Sequence, residues 1–438
     1  MRRDSVFNVL SSVLVIIAGL LIGFIILLFS NAQNAGPAFL TILTFGSSSL
    51  RNIGDVLFNA TPIIFTGLSV AFAYRTGLFN IGATGQYTFG SFVAIFIGVK
   101  AGYVGTDMEI LWNIPGTIYV WSGYSSIAGQ GTYVFLAPGL RIITSILAAA
   151  VAGALWGAIP GLLKAYRNVH EVITSIMTNY IAMFVVAHLI TTQIFNQGQG
   201  RSLPVAPGSN LPSMGLGVLF SDGGRTSNIN IGIILAILAA IVVYIILERT
   251  TFGFELKACG FNREAARYAG INERKNIVSS MMICGALAGL GGAMNFLNDF
   301  GRTMTATHDL LQEGFTGISV AFLGLNHPIG IIFSGAFVAY IFAGGDRIQH
   351  FGFTVELVQM VIAVIIYFCA FVILVKSMLG KFGGKFGGQS SKEQVVTIEV
   401  DSSLEEEMGA GVPPDDDHDD GLEAEQPQPL EESKERSE

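Results

Sequence analysis

The 438-residue sequence predicts an all-α polytopic membrane protein: about ten transmembrane helices, several of them broken, with both termini on the cytoplasmic side. Three observations carry this expectation. Hydrophobic residues make up 51% of the chain and charged residues 13%, against about 25% charged in soluble domains. Apolar runs of roughly 20 residues recur, each long enough to cross a hydrocarbon core of about 30 Å. Basic side chains divide unevenly between alternate connections, which sets the orientation.

In chain order, the first run, 7–29, follows Arg2 and Arg3. Ser30-Asn31-Ala32 resembles a signal-peptidase site, so a cleaved signal peptide competes with a retained span. The run exceeds the roughly 7–15 residues of a signal core, which favours retention with the N-terminus inside. Runs at 55–74, 79–99, 141–163 and 171–194 are interrupted by Pro, Gly and Asn. Runs at 230–247, 276–297, 314–325, 328–345 and 353–376 complete the set, the run at 314–325 being short. The inner connections then hold Arg2, Arg3, Arg75, Lys164, Arg167, Arg249, Lys257, Arg263, Arg267, Arg274, Lys275, Lys376, Lys381 and Lys385. The outer ones hold Arg51, Lys100, Arg141, Arg201, Arg225, Arg302 and Arg347. Positive charge resists translocation, so the richer side is cytoplasmic. Two long outer connections, about 100–140 and 196–229, are rich in Gly, Ser, Thr and Tyr, and about 101–140 reads as an extracytoplasmic insertion.

A membrane domain therefore covers 1–380, and its inner loop at about 249–275 is unusual. Residues 253–275 read GFELKACGFNREAARYAGINERK, a basic loop with Ala265 and Ala266 between Gly260 and Gly270. Such a segment is suited to inserting into a partner on the cytoplasmic side. Beyond it, 381–438 is a second region. Two Lys-Phe-Gly-Gly copies, at 381–384 and 385–388, place basic groups where anionic lipid would meet them. From Ser390 onward seventeen acidic side chains face three basic ones, a net of −14; the whole chain is −8, so the rest is +6. That tail cannot bury enough apolar surface to fold and reads as disordered and cytoplasmic. Cys259 lies in the inner loop and Cys284 and Cys369 in spans, so neither disulfide nor metal spacing arises.

Within the spans, small residues recur every fourth position at Gly153, Gly157 and Gly161, at Gly19 and Gly23, and at Gly285 and Gly289. This spacing makes a flat face that lets a neighbouring backbone approach. Polar residues at membrane depth say more. Residues 77–87, GLFNIGATGQY, break an apolar run, and their backbone must be buried or line a cavity. Asn80, Thr84 and Gln86 lie there. Thr174, Ser175, Thr178 and Asn179 follow one helix face, and Asn295 and Asn298, with Asp299, end another span. Each is either interhelical hydrogen-bond glue or part of a polar path; their concentration in a few spans favours a path through Asn80, Thr84, Gln86, Thr178, Asn179 and Asn295. Glu356 is an isolated carboxylate that reads as a packing or interface residue. The heptapeptide TGLSVAF at 66–72 returns as TGISVAF at 316–322, both copies running outside to inside, and repeated halves are common in transporters.

Four runs in order, TGLSVAFAYRTGLFNIGATGQ (66–86), HEVITSIMTNYIA (170–182), ACGFNREAARYAGIN (258–272) and GFTGISVAFLGLNHPIGI (314–331), resemble permease subunits of the ABC importers for ribose-like sugars and nucleosides, most closely the nucleoside-type branch. The similarity covers most of 50–375 and leaves out the insertion and the tail. It implies pairing with a second permease, either a copy or a paralogue. Two ATPase subunits would bind below, and an extracytoplasmic binding protein or lipoprotein would deliver solute from above in a bacterial cytoplasmic membrane. It also implies that the segment around Gly260, Asn262, Glu264, Ala265, Ala266 and Gly270 docks into the ATPase. The nucleoside branch tends to carry Glu where this chain has Thr84 and Asn where it has His170, which leaves the solute open among nucleosides, riboflavin and simple sugars.

No phosphate-binding loop of the form G-x-x-x-x-G-K-[ST] is present, so ATP would be used by a partner and no cofactor is expected on this chain. His170-Glu171 lacks the second histidine of H-E-x-x-H, and G-x-S-x-G is absent, which argues against an intramembrane hydrolase. No nucleic-acid partner is expected. A membrane scaffold would explain the packing glycines and the tail but not the polar broken span.

Overall fold

A computed structural model of the chain describes residues 2–101, 107–114, 118–125, 129–298, 301–369, 371, 372 and 375. The basic stretch and acidic tail, 381–438, lie outside these residues, as does Asp299.

Each of the ten apolar runs is helical. They form α1 (Arg2–Ser30), α3 (Leu50–Arg75), α4 (Ala83–Lys100), α5 (Pro138–Arg167), α6 (Glu171–Gln193), α8 (Gly232–Arg249), α11 (Glu273–Phe296), α12 (Gln312–Leu323), α13 (Pro328–Arg347) and α14 (Val355–Cys369). Among the described residues, seven of these are long and apolar enough to cross a membrane: α1, α3, α5, α6, α8, α11 and α13. The other three fall short for identifiable reasons. Polar side chains at Thr84, Gln86 and Thr88 crowd the start of α4, α12 has 12 residues, and α14 has 15.

Among the described residues, four further α-helices lie outside the apolar runs: α2 (Ala32–Thr44), α7 (Leu216–Leu219), and the inner-loop pair α9 (Thr251–Phe261) and α10 (Arg263–Tyr268). Sequence reasoning read 32–44 as connection. It is a helix capped by the Asn31 side chain, with Ala35, Ala38 and Ile42 buried.

The molecule is not purely α. The insertion contains an antiparallel meander of β1 (Asp107–Ile114), β2 (Ile118–Ser125) and β3 (Gly129–Leu136), with Asp107 opposite Tyr124 and Ile118 opposite Leu136. Its segments IYVWSGYS and GQGTYVFL are rich in the β-branched and aromatic residues that suit strands, a signal the composition-based reading passed over. Two two-residue hairpins, β4 (Phe195–Asn196) with β5 (Arg201–Ser202) and β6 (Ser221–Asp222) with β7 (Arg225–Thr226), fold the second long connection.

The helices α3 and α11 form the centre: 89% and 67% of their most apolar windows are buried, against 22% for α1 and 28% for α5. Glycine sets the close contacts. Running antiparallel, α5 and α11 touch backbone to backbone, since a Cβ on Gly153 would overlap the Gly285 carbonyl and one on Gly157 the Met281 carbonyl. A Cβ on Gly90 would strike Gly289, so α4 joins the same seam. On the other side of α5, Ile143, Leu147, Val151 and Leu155 are all more than half exposed, the stripe expected to face lipid. Gly19 and Gly23 seat α1 against Ile365 of α14.

The two heptapeptide copies are packed on each other. A Cβ on Gly317 would meet Thr66 at 2.7 Å and one on Gly67 would meet Val320 at 2.9 Å. Arg75 Nε donates to the Asn326 carbonyl at 3.0 Å. Contacts that advance together along both segments show α3 and α12 running the same way.

The described molecule has two ends. At one lie the 76–82 connection, the α5–α6 turn, α9–α10 and the α12–α13 turn. Ser12 Oγ donates to the Leu323 carbonyl at 3.5 Å, so the early part of α1 belongs to this end. At the other, the long connections are clipped down. Arg141, 2% exposed, donates to the Leu136 carbonyl at 3.2 Å and to Ser209 Oγ at 3.0 Å, while Asp55 accepts from Asn228 N at 2.8 Å.

Candidate functional site

The break between α3 and α4 gathers most of the polar residues singled out from sequence. Gly77 has φ +71, a left-handed turn that glycine adopts without strain, and it lets the chain reverse direction. Asn80 and Gln86 exchange two hydrogen bonds, Asn80 Nδ2 to Gln86 Oε1 at 2.8 Å and Gln86 Nε2 to Asn80 Oδ1 at 3.1 Å. Asn80 also donates to Ser69 Oγ at 3.2 Å. Across the seam, Asn179 of α6 accepts from Gly85 N at 2.8 Å and donates to the Ile81 carbonyl at 3.0 Å. That side chain supplies a partner to the backbone at the start of α4, which has none within its own helix. Thr178 Oγ1 bonds back to the Ser175 carbonyl at 2.9 Å, and its own carbonyl accepts from Trp156 Nε1 at 3.2 Å. The hydroxyls of Thr84 and Ser91, seven residues apart on one face of α4, are buried without a hydrogen-bond partner, as is Ser175. His170 caps α6, its Nδ1 accepting from Val172 N at 3.3 Å. Glu356 is exposed in the first turn of α14.

Asn295 belongs to a different cluster, near the opposite end of the molecule. Its Nδ2 donates to Glu313 Oε1 at 3.2 Å and its Oδ1 accepts from the Arg302 guanidinium, which also donates to Asn59 Oδ1 at 2.7 Å. Arg302 stands 5.0 Å over the Phe58 ring. Asn59 is the tenth residue of α3, so the cluster is roughly 14 Å in from that end of the helix. Beside it lies a cavity of about 420 Å³ lined by Asn59, Arg302, Glu313, Asp346 and Phe342, among others. A second cavity, of about 490 Å³, shares Leu310, Gln312, Thr316 and Phe342 with the first and reaches Gln359 and Tyr367 on α14. Asn80, Thr84, Gln86, Thr178 and Asn179 line neither. Thr84 packs against Gly314, next to Glu313, since a Cβ on Gly314 would overlap it.

Sequence reasoning missed Asn59, Arg302, Glu313 and Asp346. Arg302 counts in sequence only as an outer charge, Asn59 is a lone amide in the run 55–74, and Glu313 and Asp346 fall just outside the runs 314–325 and 328–345. Only folding brings α3, α11, α12 and α13 together around them.

The inner loop is a compact two-helix unit. Glu248, near the end of α8, meets Lys257 of α9 at 3.0 Å and Arg75 of α3 at 3.9 Å. Asn262 caps α10 by accepting from Ala265 N at 3.1 Å, and Gly270 (φ +81) ends it. Gly260 packs directly on Gly77, a Cβ on Gly77 overlapping its backbone, so the loop sits against the α3–α4 break. Glu264, Ala265 and Gly270 are exposed, whereas Ala266 is 4% exposed and faces the protein. The small-residue pair therefore does not form one outward face. What projects instead are Phe261 and Tyr268, 92% and 91% exposed. Single aromatic residues carry no periodicity, so sequence patterning did not single them out. Among the described residues no group of three or more His, Cys, Asp or Glu is placed to hold a metal ion.

The family described as branched-chain amino acid transport system / permease component matches residues 52–370. The chain belongs to this family. It is similar to the guanosine ABC transporter permease protein NupP of Bacillus subtilis (strain 168), 34% identical over 86% of this chain and 97% of that protein. It is similar also to the nucleoside ABC transporter permease protein NupB of Lactococcus lactis subsp. cremoris (strain MG1363), at 32% over 88% of this chain and 97% of the relative. The glucose ABC transporter permease protein TsgB13 of Haloferax volcanii aligns at 29% over 81% of this chain and 85% of its own length. No solved structure matches. The family permease is thus a multi-pass membrane protein built on α3 through α14, and the matched stretch contains the α3–α4 break, the inner loop and both cavities.

Proposed function

We propose that this chain is the permease subunit of an ATP-binding cassette importer that takes nucleosides across a bacterial cytoplasmic membrane. The observation that carries the solute class is the alignment with NupP and NupB over 97% of each of those proteins, named for guanosine and for nucleosides. The glucose permease TsgB13 keeps a sugar as the second reading. In this reading α4, α12 and α14 complete ten spans inside the assembly, where burial against protein offsets their polarity or shortness. The end carrying α9 and α10 is cytoplasmic, because Arg75, Lys164, Arg167, Arg249, Lys257, Arg263, Arg267, Arg274 and Lys275 belong to it.

ATP is hydrolysed by partner subunits that grip α10 and its flanks: Gly260, Asn262, Glu264, Ala265, Ala266 and Gly270, with Phe261 and Tyr268 as the projecting contacts. Movement of the loop reaches the path through the Gly260–Gly77 contact and the Lys257–Glu248–Arg75 charges. Asn80, Thr84, Gln86, Thr178 and Asn179 form the inner, closed part of that path, and Asn295 belongs to its outer part. An extracytoplasmic binding protein or lipoprotein loads solute at the far end, and a second permease, copy or paralogue, completes the channel.

The test is a gentle-detergent pull-down from native membranes followed by uptake of radiolabelled guanosine and uridine. Recovery of an ATPase and ATP-dependent nucleoside uptake support the proposal. Repeated recovery of this chain alone, with no ATP-dependent uptake, overturns it.

A further inference from the structure

We propose that the two adjoining cavities between α3, α12, α13 and α14 are the solute-selecting station of the path, taking a neutral molecule with a flat ring at one end and hydroxyl groups at the other. The inference rests on the transport reading above and adds the residues that choose the solute.

Arg302 donates to the neutral amides of Asn59 and Asn295, which fix its guanidinium between α3 and α11 at the cavity wall. Through the same Asn295 amide, Glu313 is tied to that cation, Oδ1 accepting on one side and Nδ2 donating on the other. The Glu313 backbone is pinned as well, since Thr66 Oγ1 donates to its carbonyl at 2.9 Å. Held through both main chain and side chain at a cavity wall, Glu313 leaves its Oε2 without a hydrogen bond among the described residues. Asp346 adds a second carboxylate to the same cavity. Ionised carboxylates accept hydrogen bonds and donate none, so they select solutes that present hydroxyl or N–H donors, and they repel anions. With two carboxylates and one guanidinium lining this cavity, the balance of charge disfavours a phosphorylated solute.

Shape supplies the other half. Phe342 lines both cavities, and Tyr367 lies in the second, so an aromatic face is available to a planar ring a short distance from the carboxylates. Each cavity falls within the range of about 300–1,000 Å³ usual for small-molecule sites. A sugar satisfies the carboxylates and leaves the aromatic face unused. A free base stacks and offers its ring-edge N–H groups but brings no hydroxyls. A ribonucleoside uses both.

The test uses cells carrying the complete transporter and measures initial uptake rates of guanosine against competitors: 2′,3′-dideoxyguanosine, guanine, ribose and guanosine monophosphate. Wild-type transport inhibited by guanosine at least ten-fold more strongly than by any of the others is expected. Glu313→Gln, which keeps the acceptor for Asn295, and Asp346→Asn are each expected to raise the guanosine KM five-fold or more and to narrow the preference over the dideoxy compound. Phe342→Leu, which preserves apolar bulk, is expected to weaken nucleosides while leaving inhibition by ribose unchanged. Membrane level and ATPase co-purification are measured for every variant, and any that falls below half the wild-type level is replaced by Glu313→Asp or Phe342→Tyr. If wild-type cells take up guanosine and all three variants keep KM and preference within two-fold, the station lies elsewhere and this inference fails alone. If wild-type cells show no ATP-dependent nucleoside uptake, the transport reading fails with it.

Discussion

Asn80 and Gln86 show what a single polar contact does at membrane depth. Each amide satisfies the other, and both are buried. Removing one leaves its partner unsatisfied, at about 1–3 kcal/mol, whereas replacing both with apolar groups of similar size can be nearly neutral. Asn80→Leu should lower the thermal midpoint of the detergent-purified protein, and Asn80→Leu combined with Gln86→Leu should recover part of the loss. His327, in the α12–α13 turn, makes a pH prediction. Burial holds its imidazole below the ordinary value, Arg75 pushes the same way, and Glu248 partly opposes them. Its folded pKa is thus depressed, so the unfolded chain takes up the proton first as pH falls. The contribution to stability is present above the unfolded value of about 6.5 and is lost as pH drops through the folded value. Thermal midpoints measured from about pH 7.5 down to about pH 5 should fall less steeply in His327→Gln than in wild type. Equal slopes would show that His327 is not held neutral.

At the scale of elements, two seams make opposite demands on small residues. Between α5 and α11 the contact is backbone on backbone, so Gly285→Leu has no rotamer that escapes the Gly153 carbonyl. Overpacking of this kind costs about 1–3 kcal/mol or more, and the variant should express poorly or melt early. Gly139, in the first turn of α5, has open space around it; Gly139→Ala should be neutral or stabilise by up to about 1 kcal/mol. In the α9–α10 unit the exposed aromatics Phe261 and Tyr268, not the alanines together, define the outward face. Phe261→Ala with Tyr268→Ala should abolish co-purification of the ATPase without shifting the thermal midpoint. Ala265→Trp should also block docking. Ala266→Trp, by contrast, should lower the midpoint, because that side chain points into the protein. Unchanged ATPase recovery with the aromatic pair removed would exclude those rings as the grip.

The described part of the molecule is polarised: one end holds the compact basic loop, and the other the long connections clipped by Arg141 and Asp55. Its orientation is measurable because Cys259, Cys284 and Cys369 are all buried, which keeps native labelling low. A cysteine placed at exposed Arg167 should react with a membrane-impermeant maleimide only in inside-out vesicles, and one at exposed Ser213 only in intact cells. Reaction on the same side would refute the orientation. Deleting residues after Gln389 should leave uptake unchanged, since a segment with net charge −14 has little apolar surface to contribute to packing. A large loss of uptake at normal expression would show that the tail takes part.

Composition and hydropathy by themselves determined that this is a multi-pass helical protein: each of the ten apolar runs carries a helix among the described residues, and seven are long and apolar enough to cross hydrocarbon, where backbone must satisfy its own hydrogen bonds. The four-residue glycine spacing likewise announced close helix contacts, and Gly153 and Gly285 make them. Other features needed the folded chain. The strands of the insertion were hidden behind a reading of its composition as loop. Whether α4, α12 and α14 are spans depends on what covers them, because their polarity or length is inadequate alone. The fate of each polar residue was undecided for the same reason. Asn80, Gln86 and Asn179 found partners within the α3–α4–α6 junction, while Asn295 met Arg302, Asn59 and Glu313 across the bundle. Sequence spacing specifies which residues share one helix face; only packing between helices distant in the chain decides which faces meet and where a cavity is left.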